Sequence, residues 1–251
     1  MDAALQPDGN ISPGPVIVAF SAAVLNYGKR ALALNNQAEG SGNTKMSKFA
    51  TVVVLPKARV TGPVSLEKAI AKRRSIREYL RKPITLRDLS QVIWGAQGVT
   101  DSQSGRRAAP SGGALYPLEL YVVVREGGVV SLPAGVYHYE PDKHAIELVR
   151  DGDRSIELQG AAKGQEQIGQ AAMSIVITAV YERMTPKYGQ RGIQYALQES
   201  GAVAENISLQ ATALGLGTVI MGSFDENRVG GVVGVGRDEK AICILPIGFR
   251  R

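Results

Sequence analysis

Cysteine is nearly absent from this chain. Cys243 is the only one among 251 residues, which excludes an intrachain disulfide framework and a cysteine-based zinc site. It stands in the apolar run AICIL (241–245), where a buried, inert thiol is expected. Histidine is equally scarce: His138 and His144 are too few for histidine-rich metal chemistry. No apolar run is long enough to span a bilayer, so no membrane partner is expected. No P-loop and no GxSxG elbow occurs. A GxG occurs at 215–217, but it follows a helical pattern rather than a strand, so it fails the context of a dinucleotide fingerprint.

What is present is an ordinary globular balance, with 44% hydrophobic and 21% charged residues. The length suits one large α/β domain or two small ones and can bury a substantial core. The formal charge is +6. A basic surface can meet nucleic acid, anionic lipid or an anionic small molecule, or it can simply be solvated. The cations are scattered, except at 72–82, where Lys72, Arg73, Arg74, Arg77, Arg81 and Lys82 crowd together. No binding motif or stacking aromatic stripe accompanies them, so nucleic acid is not expected as a partner. Near the N-terminus, PVIVAFSAAVL (15–25) looks like a signal core. Asp2 and Asp8 precede it, while Lys29 and Arg30 follow it, the wrong charge order for export. Residues 1–50 therefore read as an N-terminal extension ahead of a domain at 51–251, and a cytoplasmic location is expected.

Periodicity sets the elements. KFATVVVLP (48–56) suits a short strand or extended arm. Ser65 is an N-cap for a helix with Leu66, Ala69, Ile70 and Arg73 on one face, expected to end before Pro83. Thr85 opens a second helix, and Asp88 completes a capping-box-like pair. A long polar loop at 98–117 follows, and such loops inside compact domains are often functional. LELYVVV (118–124) and SIVITAV (174–180) read as buried strands. GVYHYE (135–140) and AIELVR (145–150) flank Pro141-Asp142-Lys143 as a hairpin. A long, Ala-rich helix is expected over 192–216, and a last strand over 241–248. The order α-α-β-β-β-α-β-α-β mixes helices with antiparallel signals, which is an α+β layout.

Three segments carry candidate chemistry. In Arg73-Arg74-Ser75-Ile76-Arg77, guanidinium forks and a hydroxyl suit a phosphate. If helical, Arg73 and Arg77 share a face and Arg74 points elsewhere; a solvated basic helix end is the competing reading. Pro110-Ser111-Gly112-Gly113 can lay backbone flat against a ring system, or can be a plain surface loop. Gly215 to Phe224 joins the long helix to an apolar stretch.

These segments, in order, resemble the nitroreductase fold family, closest to its SagB-type dehydrogenase branch. The resemblance rests on RRSIREY (73–79), IWGAQGVT (93–100), RRAAPSGGALYPLELYVVV (106–124), the stretch from Tyr181 to Phe224, and LPIGFR (245–250). It covers the chain from about residue 52 and implies a homodimeric, nitroreductase-like α+β fold, with a mainly antiparallel sheet flanked by helices and FMN at the subunit interface. By the resemblance, Arg73, Arg74, Ser75 and Arg77 bind the flavin phosphate and ribityl chain, and Arg250 adds a phosphate contact. Pro110, Ser111 and Gly112 line the ring. The segment holding Gly217, Val219, Met221 and Gly222 covers its other side, with a backbone amide near the reactive nitrogen. The SagB-type branch includes oxidases that turn peptide azolines into azoles, and the catalytic pair it implies falls on Lys187 and Tyr188. Relatives carry EAGHVAQN where this chain has ESGAVAEN (199–206), so Ala202 replaces a histidine. Competing readings are an NAD(P)H-dependent nitro or quinone reductase, with NAD(P)H as electron donor, and a non-catalytic flavin-binding protein. The expected substrate is a small molecule or a modified peptide.

Overall fold

Alternation along the strands decides this architecture. The computed structural model describes residues 51–236 and 238–251; the expected extension at 1–50 lies outside them. Strand β4 (Leu118–Val124) sends Leu118, Leu120, Val122 and Val124 to one face and Tyr121 and Val123 to the other. Both faces are covered, which is why the strand reads as almost continuously apolar. Its neighbours are β5 (Gly135–Glu140) and β7 (Met173–Val180). With β1 (Val52–Val54), β6 (Ala145–Asp151), β8 (Leu216–Thr218) and β9 (Glu239–Phe249), they form a seven-stranded sheet in the order β1-β6-β5-β4-β7-β9-β8. Every pairing in it is antiparallel.

Helix α1 (Leu66–Lys72) lies near one edge of this sheet. Helix α2 (Leu86–Gln97) buries Leu89, Val92, Ile93 and Ala96 on the face of Leu120 and Val122. Its start is fixed locally: the Thr85 hydroxyl accepts from the Asp88 amide at 3.1 Å, and Asp88 accepts from the Thr85 amide at 3.0 Å. A two-stranded hairpin follows, β2 (Val99–Asp101) with β3 (Arg106–Arg107), inside the stretch expected to be wholly loop. On the other face, α3 (Ser155–Ala161) packs with the short helix α4 (Gln167–Gln170). The short helix α5 (Thr185–Tyr188) leads into α6 (Arg191–Ala213), which lies on the α2 face through Ala196, Val203, Ala204, Ile207 and Ala211. Finally α7 (Glu226–Val233) buries Val229, Val232 and Val233 beside α3. The hairpin expected around residues 141–143 is present, with Glu140 opposite Ala145.

Two expectations are corrected. The helical reading of the 73–77 cluster does not hold: the first helix ends at Lys72, well short of Pro83, with Arg73 as its C-cap. Beyond it the backbone is recruited by β8: the Ile76 amide donates to the Thr218 carbonyl at 2.9 Å, and Tyr79 bridges Arg250. A tertiary strand partner outcompetes helical propagation, and the β-branched Ile76 suits that conformation. The long helix stops at Ala213 rather than 216, because Gly215 turns the chain at φ +75° and Leu216 already pairs with Phe249.

Candidate functional site

The first correction rearranges the basic cluster. Beyond Lys72 the chain is no longer helical, so Arg73 and Arg77 are not one helical turn apart, and Arg74 and Ile76 line one cavity. Arg73 Nε lies 3.6 Å from Glu205 on α6. Among the described residues, the Ser75 hydroxyl and the Arg77 guanidinium make no hydrogen bond or ion pair. Arg74 instead donates to the carbonyls of Ala71 (3.2 Å) and Arg73 (2.7 Å), capping α1. It lines a cavity of about 290 Å³ with Lys68, Lys72 and Arg250, at the spot where α1 and α6 both end. Cations there answer the negative ends of two helices.

The segment 217–222, which begins within β8, was expected to cover a ring, and its residues do different things. A β-carbon on Gly217 would lie 2.8 Å from two Ile76 side-chain atoms, so glycine is needed for the chain at 75–76 to approach β8. The side chains of Val219 and Met221 are buried in the layer beside α3 and α7. Both the amide and the carbonyl of Met221 pair with Ile244 at 2.9 Å. The amides of Val219, Ile220 and Gly222 reach no acceptor among the described residues. Gly222 is exposed, with open space on its β-carbon side.

The second group forms around the 110–117 turn. Gly113 has φ +64°, and a β-carbon there would meet both Lys187 Nζ and Tyr188 Oη at 2.6 Å. The expected catalytic pair thus sits against the backbone of the expected ring-lining turn, joining residues more than seventy positions apart in sequence. Tyr188 is held edge-on to Tyr195, with centroids 5.2 Å apart. Beside it, Pro110, Ser111, Gly112, Tyr195, Glu199 and Ala202 line an open cavity of about 330 Å³.

Glu199 was not among the expected site residues. It is 7% exposed, and one of its oxygens accepts from the Gly112 amide (2.7 Å) and the Ser111 hydroxyl (3.1 Å). Burial pushes its carboxyl above the usual range, against the downward pull of those two bonds. The polar groups of Ser111 and Gly112 are therefore used inside the protein. A sequence signal existed: Glu199 lies three residues after Ala196 and four before Val203, both on the buried stripe of α6.

A further polar group braces the same turn from behind. Glu119, on β4, binds Arg183 at 2.5 Å and His138 Nε2 at 2.8 Å, and Arg183 donates to the Tyr116 carbonyl at 2.9 Å. Burial works against the charged form of His138, but the bond to Glu119 and the charges of Glu119, Glu140 and Glu239 raise its pKa overall. Cys243 is buried on β9, where burial pushes its thiol up to about 12. Among the described residues, no group of three or more His, Cys, Asp or Glu side chains could hold a metal ion, and no helix is long and apolar enough to cross a membrane.

This antiparallel sheet with its two helical faces defines a known class. The Nitroreductase family model matches residues 70–249, and the chain belongs to that family of oxidoreductases. Among its relatives, the protein named as nitroreductase MJ1384 of Methanocaldococcus jannaschii is 44% identical over 185 residues, spanning 74% of this chain and 91% of that one. The microcin B17-processing protein McbC of Escherichia coli is 27% identical over 172 residues, 67% of this chain and 62% of McbC. A nitroreductase-type crystal structure from Ralstonia eutropha superposes with a TM-score of 0.70 at 30% identity, covering 80% of this chain and 90% of that one. A chain of the E. coli microcin synthetase McbBCD complex shares the fold, with a TM-score of 0.65 at 22% identity over 92% of this chain and 94% of that one.

Proposed function

We propose that this chain is an FMN-dependent dehydrogenase of the SagB type, acting on azoline rings in a modified peptide, as a homodimer. The observation that carries the reading is the seating of Lys187 Nζ and Tyr188 Oη on the backbone of Gly113. A basic amine and a phenol stand there beside a turn able to face a flat ring.

The donor set fits a phosphorylated flavin. The side chains of Arg77 and Ser75 make no hydrogen bond or ion pair among the described residues, Arg73 stands two residues before Ser75, and the exposed amide of Gly222 is open to a ring nitrogen or oxygen. Arg73, Ser75 and Arg77 would hold the phosphate and ribityl chain. Arg250 lines the neighbouring cavity with Arg74 and Ile76 and bridges Tyr79 through its backbone. Arg74, Val219 and Met221, expected to share in this, would contribute through the backbone they order, and Gly217 through its close approach to Ile76. FMN, when bound, supplies the two-electron acceptor for the reaction. The chain supplies a base: the Lys187 amine or the Tyr188 oxygen takes the proton lost from the ring carbon. Pro110 and the backbone of Ser111 and Gly112 would give the flavin ring a flat wall.

The absorption spectrum of the purified protein tests the cofactor: flavin bands released as FMN on denaturation support it, and a colourless protein removes it. Substrate class is tested by comparing an azoline-containing peptide with NADPH plus a nitroaromatic. The present reading requires turnover of the peptide, lost in Lys187→Ala and Tyr188→Phe. The likeness to MJ1384, named as a nitroreductase, favours a second reading. In it, the protein reduces the nitroaromatic with NAD(P)H and Lys187→Ala leaves that rate intact.

A further inference from the structure

The turn beside Lys187 and Tyr188 is strained. Gly113, Ala114 and Tyr116 take φ values of 64°, 56° and 44°. Two of the three are not glycine, and left-handed backbone is costly for them. Such a turn persists only where surrounding contacts over-determine it, and that pattern concentrates at functional sites. Two anchors do so here. Arg183 holds the Tyr116 carbonyl. Glu199 holds the opposite limb: one of its oxygens takes both the Gly112 amide and the Ser111 hydroxyl, and that hydroxyl accepts in turn from the Tyr116 amide at 2.9 Å. A single carboxyl oxygen thereby ties together both ends of the strained stretch. The other oxygen is buried and has no partner among the described residues. A half-satisfied carboxyl inside a helix interface costs stability, so stability alone does not account for a glutamate at this position.

We propose that Glu199 is a positioning residue, which pre-shapes the 110–116 turn for the flat ligand lying against it. That ligand is the flavin ring, so the inference rests on the proposed function. The hold on the turn needs one accepting oxygen and no charge, so a glutamine can serve and an alanine cannot.

The test uses the full chain as wild type, Glu199→Ala, Glu199→Gln and Ser111→Ala. FMN affinity is read from flavin fluorescence, and amide hydrogen exchange is followed across 111–116. Glu199→Ala is expected to speed exchange in the turn and to weaken FMN about tenfold or more, because the competent turn becomes a minor state. Glu199→Gln restores both, and Ser111→Ala falls between. Should Glu199→Ala fail to fold, the ordering of Glu199→Gln and Ser111→Ala against wild type decides. Unchanged exchange in Glu199→Ala, or faster exchange with unchanged FMN affinity, overturns the proposal. A wild-type protein that binds no FMN removes the flavin reading instead, and exchange alone then decides whether Glu199 holds the turn.

Discussion

Replacing Gly113 with alanine separates the shape of the site from its stability. Two costs arise. Left-handed backbone at φ +64° costs an alanine about 1–2 kcal/mol. The new methyl also collides with Lys187 Nζ and Tyr188 Oη, both 2.6 Å away. Lys187 is exposed and its end can swing aside at little cost. Tyr188 must break its edge-on contact with Tyr195, worth about 0.5–1.5 kcal/mol. The total is roughly 1.5–3.5 kcal/mol. A control isolates the collision: Gly105 has φ +68° with nothing within 4 Å of its β-carbon position, so Gly105→Ala carries the backbone cost alone. Urea unfolding of both variants should show Gly113→Ala the less stable by about 0.5–1.5 kcal/mol. Peptide turnover should fall by more than an order of magnitude in Gly113→Ala and stay near wild type in Gly105→Ala. Full turnover in folded Gly113→Ala would refute the placement of Lys187 and Tyr188 in the reaction.

Gly217→Ala should destabilise by about 1–3 kcal/mol through overpacking against Ile76, and Ile76→Ala in the same chain should recover part of that loss in a double-mutant cycle. Arg77→Ala should leave the melting temperature nearly unchanged, since the side chain makes no hydrogen bond or ion pair among the described residues, yet weaken FMN about tenfold or more through loss of a charge-assisted bond; equal affinity would remove Arg77 from the phosphate site. His138 has a raised pKa in the folded state. Its stabilising contribution is therefore complete below the ordinary histidine value near 6.5 and is lost as pH rises through the folded value. Unfolding free energies on either side of that window should show the trend in wild type, and its persistence in His138→Gln would assign it to other groups.

What could be read in advance was local. The Thr85–Asp88 cap and the hairpin around residues 141–143 are written within a few neighbouring positions, and both are present. The antiparallel α+β layout followed from runs whose polarity matched their burial. The conformation of 73–79 could not be read the same way. Its helical spacing is genuine, but β8, which overrides it, stands far along the chain, and no window around Arg73 contains it. The reason for glycine at 217 was hidden likewise, since it is Ile76 rather than a ligand that fills the space. Lys187, Tyr188 and the 110–113 turn came from an ordered set of segments, whereas their contact is a product of the fold. Glu199 shows the reverse case, a glutamate on the buried stripe of α6 that periodicity alone could have flagged.

The pairing of residues 75–76 with Thr218 also bears on solubility. Strand β8 ends the sheet, and a bare edge of that kind invites another chain to add a strand. The covering segment carries Arg73, Arg74 and Arg77, with Arg81 close behind. Positive charge beside that edge disfavours the pairing of a further strand there, whether or not any anion is bound.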